Sequence, residues 1–128
     1  MKVIYVAGPD RAANAWLVEQ NVRNAEIAGY EISCMGAIPL IPHSMTRFFD
    51  RTHSDEYWLE ATMELMRRCD AVFFLATWRQ SKGSVGEWNE AGKICLPRFE
   101  TFYELQEWLK AQPNSQYEAF YEHRSAHR

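Results

Sequence analysis

Short apolar runs and longer amphipathic stripes take turns along this chain. Lys2–Gly8, KVIYVAG, is β-branched and aromatic and stops at Gly8-Pro9, the pattern of a buried strand that ends in a turn. Ala15, Val18, Val22, Ala25 and Gly29 recur at three- and four-residue spacing, which predicts a helix from about Ala12 to Tyr30 with one apolar face. After a stop at Gly36, AIPLIP (Ala37–Pro42) reads as a second strand. Its prolines put it at a sheet edge, because proline cannot donate to a ladder. The segment from His43 to Thr52 is irregular and rich in aromatics, and such a loop is expected to close over something.

A second helix is expected from about Asp55 to Arg68, with Trp58, Ala61, Leu65 and Cys69 inward and Arg67 and Arg68 at its negative carboxyl end. Asp70, given capping or turn duty, precedes the apolar run AVFFLAT (Ala71–Thr77), a third strand. Ser81–Ala91, SKGSVGEWNEA, leads into a helix with Glu87 in its first turn, and KICLP (Lys93–Pro97) reads as a fourth strand. Thr101 and Glu104 form a capping-box pattern before a last stripe of Phe102, Leu105 and Leu109. A domain spanning 1–112 is then followed by a polar, aromatic tail, 113–128, read as a helix, a partner-binding arm or a frayed end.

This alternation predicts an α/β fold, a three-layer sandwich of flavodoxin or Rossmann type. Its parallel sheet would hold four strands, at most five, in the order 2-1-3-4, with helices on both faces. In open α/β sheets ligands bind beyond the carboxyl ends of the strands, where the strand order reverses. The loops after the first and third strands should therefore meet, with Gly8, Pro9, Asp10 and Arg11 opposite Ser81 to Glu87.

The 128 residues suffice for one domain, and 47% hydrophobic with 24% charged residues is a globular composition. A net charge of −3 with scattered Lys and Arg argues against a nucleic acid polymer as partner but leaves room for a small phosphorylated ligand. Cys34, Cys69 and Cys95 lack metal-type spacing and read as reduced, buried small hydrophobes. His123 and His127 are four apart but lack a third ligand, so no metal site and no cofactor are expected. Met1 runs straight into a strand, without a leader pattern, and no apolar run is long enough for a bilayer. A cytoplasmic protein with no membrane partner is the expectation.

The facing loops would bring a guanidinium, hydroxyls, glycine amides and a helix amino terminus together, which suits an anion. Glu87 beside them has two readings. Ser84 and Glu87 fit the S-x-x-E capping box, which on spacing alone is the commoner explanation. The alternative is a catalytic carboxylate. Tyr5 is by default a core aromatic whose hydroxyl needs a partner, and the strand's end near Glu87 offers one. Arg11 fits either the anion or a solvated first helical turn. His43 lies at the same carboxyl edge, where a lone loop histidine is more often structural than functional.

IYVAGP near the start, RCDAVFFL at the third strand and S-x-G-x-x-x-E-x-x-x-A (Ser81, Gly83, Glu87, Ala91) resemble the nucleoside 2-deoxyribosyltransferase-like superfamily. The resemblance runs from Lys2 to about Leu96. It is nearest to a small-protein subgroup with AGP-x-R-A, P-H-S-M-T and W-L-x-x-T before C-D-A-V. It implies that Glu87 attacks the anomeric carbon and forms a glycosyl-enzyme ester, which water or a second base resolves. Tyr5 falls where the family places a tyrosine that orients this glutamate. Ser81 and Arg11 resemble the glycosidases that take a nucleoside 5′-monophosphate, with Gly8, Arg11, Ser81 and Gly83 holding the phosphate end and Pro9, Asp10, His43 and Ser84 also expected among the substrate-binding residues. Thr62 stands where relatives carry an acid for the base, which leaves Asp55 and His43 as candidates. The resemblance also implies a homodimer or larger homo-oligomer. A catalytically weak nucleotide-binding or sensing protein, and a nucleosidase acting on NAD, are the rival readings.

Overall fold

The computed structural model describes residues 1–49 and 51–113. The tail assigned above to 113–128, with His123 and His127, lies outside them apart from Pro113. The chain alternates as expected. β1 (Val3–Ala7) is followed by α1 (Ala15–Cys34), β2 (Ile38–Leu40), a single helical turn α2 (Pro42–Met45) and α3 (Asp55–Arg67). Next come β3 (Ala71–Phe74), a 3-10 turn at Trp78–Gln80, α4 (Lys82–Lys93), β4 (Arg98–Phe99) and α5 (Phe102–Lys110).

The four strands form one parallel sheet in the order β2-β1-β3-β4. Tyr5 pairs with Leu40 on one side and Val72 on the other, and Ala7 pairs with Phe74. Alternation along β1 and β3 splits the core into two layers. Ile4, Val6, Ala71 and Phe73 face α1 and α5, packing against Ala25, Ala28, Ile32, Leu105 and Leu109. Tyr5, Ala7, Val72 and Phe74 face α3 and α4, packing against Met66, Cys69 and Ala91. Asp70 accepts the Val3 amide at 2.8 Å, tying β3 to β1 at the edge away from their carboxyl ends.

Several local expectations change. α1 begins with Asn14, whose side chain accepts from the Leu17 amide at 2.9 Å, so residues 9–13 stay outside the helix. Arg11 is therefore a loop residue, and Ala15 at the helix start is exposed rather than inward. His43, read as part of an irregular loop, sits in α2, started by Pro42 at its first position. The third strand stops at Phe74, and Leu75 to Gln80 bend through the 3-10 turn.

The fourth strand is not Lys93–Pro97. α4 runs to Lys93 and closes through Cys95, which has φ 59°, while Leu96 donates its amide to Ala91 at 2.8 Å. A left-handed residue after the last turn is a standard way to satisfy orphan carbonyls, and it delays the strand to Arg98. Cys95 is consequently exposed and Cys34 half-buried, so only Cys69 is the buried thiol expected of all three.

Gly29 permits the close approach of α1 to β2. A Cβ there would lie 2.4 Å from Ile41 Cδ1 and 3.4 Å from Pro39 Cβ. Gly29→Val should cost roughly 1–3 kcal/mol by urea unfolding, because Pro39 cannot yield. Gly29→Ala should come nearer neutrality, since the free end of Ile41 can turn aside and alanine gains up to about 1 kcal/mol of helix propensity. Equal losses in the two variants would contradict this.

Candidate active site

The loops after β1 and β3 meet, and a cleft of about 420 Å³ opens between them on the α3/α4 side of the sheet. Tyr5, Gly8, Pro9, Asp10 and Arg11 line it from β1 and its loop, His43 from α2, and Ser81, Gly83, Ser84 and Glu87 from α4. Asp55 is the one residue named for a catalytic or binding role that does not line it. Its carboxylate pairs with Arg11 Nη1 at 2.8 Å, with both side chains largely exposed, so this ion pair bridges the β1 loop and the start of α3.

The capping explanation of Glu87 fails on geometry. The cap of α4 is Ser81, whose Oγ accepts from the Ser84 amide at 3.2 Å. The helix thus begins at Lys82, two residues before Ser84, and Glu87 falls in the second turn, away from the unpaired amides that a cap would serve. It is buried against the sheet, as are Ser84 and Ala91 on the same helix face. Ser81 keeps its hydroxyl proton free for a second partner. Beside it, the amides of Lys82 and Gly83 have no acceptor within the helix.

Glu87 forms a hydrogen bond with the Tyr5 hydroxyl. Burial pushes its carboxyl up to about 7, the Tyr5 bond draws it part of the way back, and the nearby charge of Asp10 adds to the rise. Burial and then the Glu87 charge hold the Tyr5 phenol well above its usual range, so Tyr5 stays protonated as a hydrogen-bond partner. Thr62 Oγ1 also bonds Tyr5. The same hydroxyl lies 3.0 Å from the Trp58 carbonyl oxygen and 3.2 Å from that of Leu59. Arg67, braced by Glu60 of its own helix at 3.1 Å, ties α3 to α4 by reaching Glu90 at 2.9 Å.

His43 is buried, and its Nε2 lies 3.0 Å from the carbonyl oxygens of both Gly8 and Pro9. Carbonyls only accept, so Nε2 carries a proton there. Gly8 is required by close packing, since a Cβ would meet Leu75 Cδ1 at 2.5 Å. At Gly83 a Cβ would meet nothing nearer than 3.5 Å, so its openness serves the cleft rather than the protein's own packing.

Among the described residues three buried polar atoms lack a protein partner, His43 Nδ1, Trp58 Nε1 and Ser84 Oγ, and all three residues line this cleft. Among the described residues no group of three or more His, Cys, Asp or Glu gathers as a metal site. No helix among them is long and apolar enough to cross a membrane.

Sequence reasoning did not find Lys82, Gln80, Thr46 or Trp58 as lining residues. The apolar period of α3 puts Trp58 on its inner face, and only its unpaired indole N–H marks it as different. Lys82 carried a weak signal, since it is the first residue after the cap and so adjoins any anion at that helix end. Thr46 and Gln80 carried none, because the turns that place them are not visible in the apolar pattern.

No curated protein and no solved structure matches this chain at a significant level. Residues 2–99 match the model of a family described as a domain of unknown function (DUF4406), and the chain belongs to that family.

Proposed function

We propose that this protein cleaves the base–sugar bond of a nucleoside 5′-monophosphate, by hydrolysis or by 2-deoxyribosyl transfer, through a covalent glycosyl ester on Glu87. The observation that carries this reading is the buried Glu87 itself. A carboxyl group sealed against a sheet, beside another acid and held by a tyrosine, is costly to keep, and such groups concentrate at reacting centres. The resemblance of the surrounding motifs to the nucleoside 2-deoxyribosyltransferase-like superfamily supplies the reaction class.

In the first step a Glu87 oxygen bonds to the anomeric carbon as the carbon–nitrogen bond breaks, and the bonding pair leaves with the base. The departing nitrogen takes up a proton, for which Asp10 is the other carboxyl group lining the cleft. Water, or the nitrogen of a second base, then attacks the same carbon and frees Glu87, with its proton passing to the acid that was spent. Tyr5 keeps the carboxylate aimed, and its hydrogen bond favours the ionised form that must attack. Ser81, Lys82, Gly83 and the first amides of α4 suit the 5′-phosphate.

A binding or sensing role has one observation in its favour. Thr62 supplies no acid, and its hydroxyl is taken up by helix carbonyls and Tyr5. Incubation with ribo- and deoxynucleoside monophosphates, followed by chromatography for free base, separates the two. Tight nucleotide binding with no base released would support the sensor and sink the enzyme. For the enzyme, kcat/KM should climb with pH along a limb near 7 and level off above it, because the ionised fraction of Glu87 grows over that range. A profile that falls over the same range would make Glu87 a proton donor instead.

A further inference from the structure

The three unpartnered atoms, all on residues that line the cleft, do not ask the same thing of a ligand. The indole N–H of Trp58 can only donate, and the Ser84 hydroxyl can donate or accept, so phosphate or carbonyl oxygens would satisfy both. His43 differs. In the tautomer that donates from Nε2 to Gly8 and Pro9, the lone pair lies at Nδ1, which has no partner. In that tautomer the atom is satisfied by a ligand group that brings a proton. A 5′-phosphate ester brings none when ionised, and it is better served by Lys82 and the α4 amides. The ring itself cannot turn away, being buried and held by two carbonyls.

Which part of the ligand meets this acceptor follows from the strand that carries it. Gly8 and Pro9 continue β1 directly beyond Tyr5 and Ala7, and Tyr5 holds Glu87. The part of a nucleotide that must reach Glu87 is its sugar, whose hydroxyls are the donors nearest the reacting carbon. We infer that His43 Nδ1 accepts a hydrogen bond from a sugar hydroxyl of the bound nucleotide, which makes His43 the residue that selects for that hydroxyl. The inference rests on the nucleotide reading given above. It goes further in naming the sugar as what is read and His43 as the reader.

The test pairs deletion of the hydroxyl in the ligand with deletion of the acceptor in the protein. Nucleoside 5′-monophosphates with a full ribose, a 2′-deoxyribose or a 3′-deoxyribose are compared for binding by calorimetry and for base release. The proteins are the wild type and His43→Gln, whose side-chain amide can still donate to Gly8 and Pro9 with its acceptor oxygen moved off the Nδ1 position. His43→Ala is carried alongside, with circular dichroism of each variant to verify folding. In the wild type, loss of the hydroxyl that is read should weaken binding about tenfold or more, since a buried acceptor is left unpaired. In His43→Gln that preference should shrink to about threefold or less.

A preference that survives in His43→Gln, or the lack of any hydroxyl preference in the wild type, overturns the inference and leaves the enzyme reading standing. Loss of discrimination between adenine and hypoxanthine nucleotides in the variant would assign the acceptor to a base amine and also overturns it. So does loss of the preference for nucleotide over nucleoside, which would make the ring a protonated phosphate ligand. If no nucleotide binds the wild type at all, the nucleotide reading falls and this inference with it.

Discussion

Replacing Glu87 by glutamine should lower the release of free base from a nucleoside 5′-monophosphate by on the order of 10³-fold or more, with nucleotide binding retained. The amide has nearly the same shape and still accepts from Tyr5, so the cleft and its hydrogen bonds survive. It lacks the negative charge that steadies an oxocarbenium-like sugar and the electron pair that bonds to it. The effect should therefore fall on kcat rather than on nucleotide affinity. Release that continues at the wild-type rate would remove Glu87 from the chemistry. Retained binding with no release in either protein would leave a nucleotide-binding module.

The same substitution should make the fold more stable, by an amount that depends on pH. Burial holds the Glu87 carboxyl at about 7 in the folded protein against an ordinary 4.5. Because the folded value is raised, the stability Glu87 contributes is complete below about pH 4.5 and is lost as pH rises through 7. Once the group is fully ionised, the cost to the folded state is roughly 3 kcal/mol. Glutamine carries no such charge. Urea unfolding of the two proteins should thus agree within error near pH 4.5 and diverge as pH rises. The Glu87→Gln protein should lead by roughly 3 kcal/mol at pH 8. Comparing the pair at each pH cancels the other titrating groups. A variant less stable than the wild type at pH 8 would mean that the ionised carboxylate is well satisfied in the empty cleft, and the strain argument for its role would fail. The two effects have opposite signs for function and stability, as expected where a group is kept for what it does.

The strands and helices that build the cleft were legible because each has a clean period. Val3–Ala7 and Ala71–Phe74 are continuous apolar runs, as strands covered on both faces must be. The prolines around β2 correctly placed it at the sheet edge. Thr101 caps α5 by accepting from the Glu104 amide at 3.2 Å, as its spacing predicts. Errors gathered at element ends. Ile94, Cys95 and Leu96 look like a strand, but a left-handed turn at Cys95 makes them the exit of α4. Such a turn at a non-glycine residue leaves no mark in an apolar pattern. The Ser84–Glu87 spacing fits a capping box, yet Ser81 three residues earlier takes the cap. Both serines obey the same local rule, and only the path of the chain out of β3 decides between them.

The sequence by itself determined the α/β alternation and the strand order, because period and chain reversal admit few packings. It thereby brought Gly8–Arg11 opposite Ser81–Glu87. Tertiary structure alone decided what each side chain does there. It buried Glu87 and so raised its pKa, bonded it to Tyr5, committed Asp55 to Arg11, and turned His43 into a fixed ring with one nitrogen spent and one open. Burial, hydrogen-bond partners and the direction of a lone pair arise from contacts between residues 35 to 82 positions apart, as His43 with Gly8 and Glu87 with Tyr5. No local pattern encodes contacts of that range.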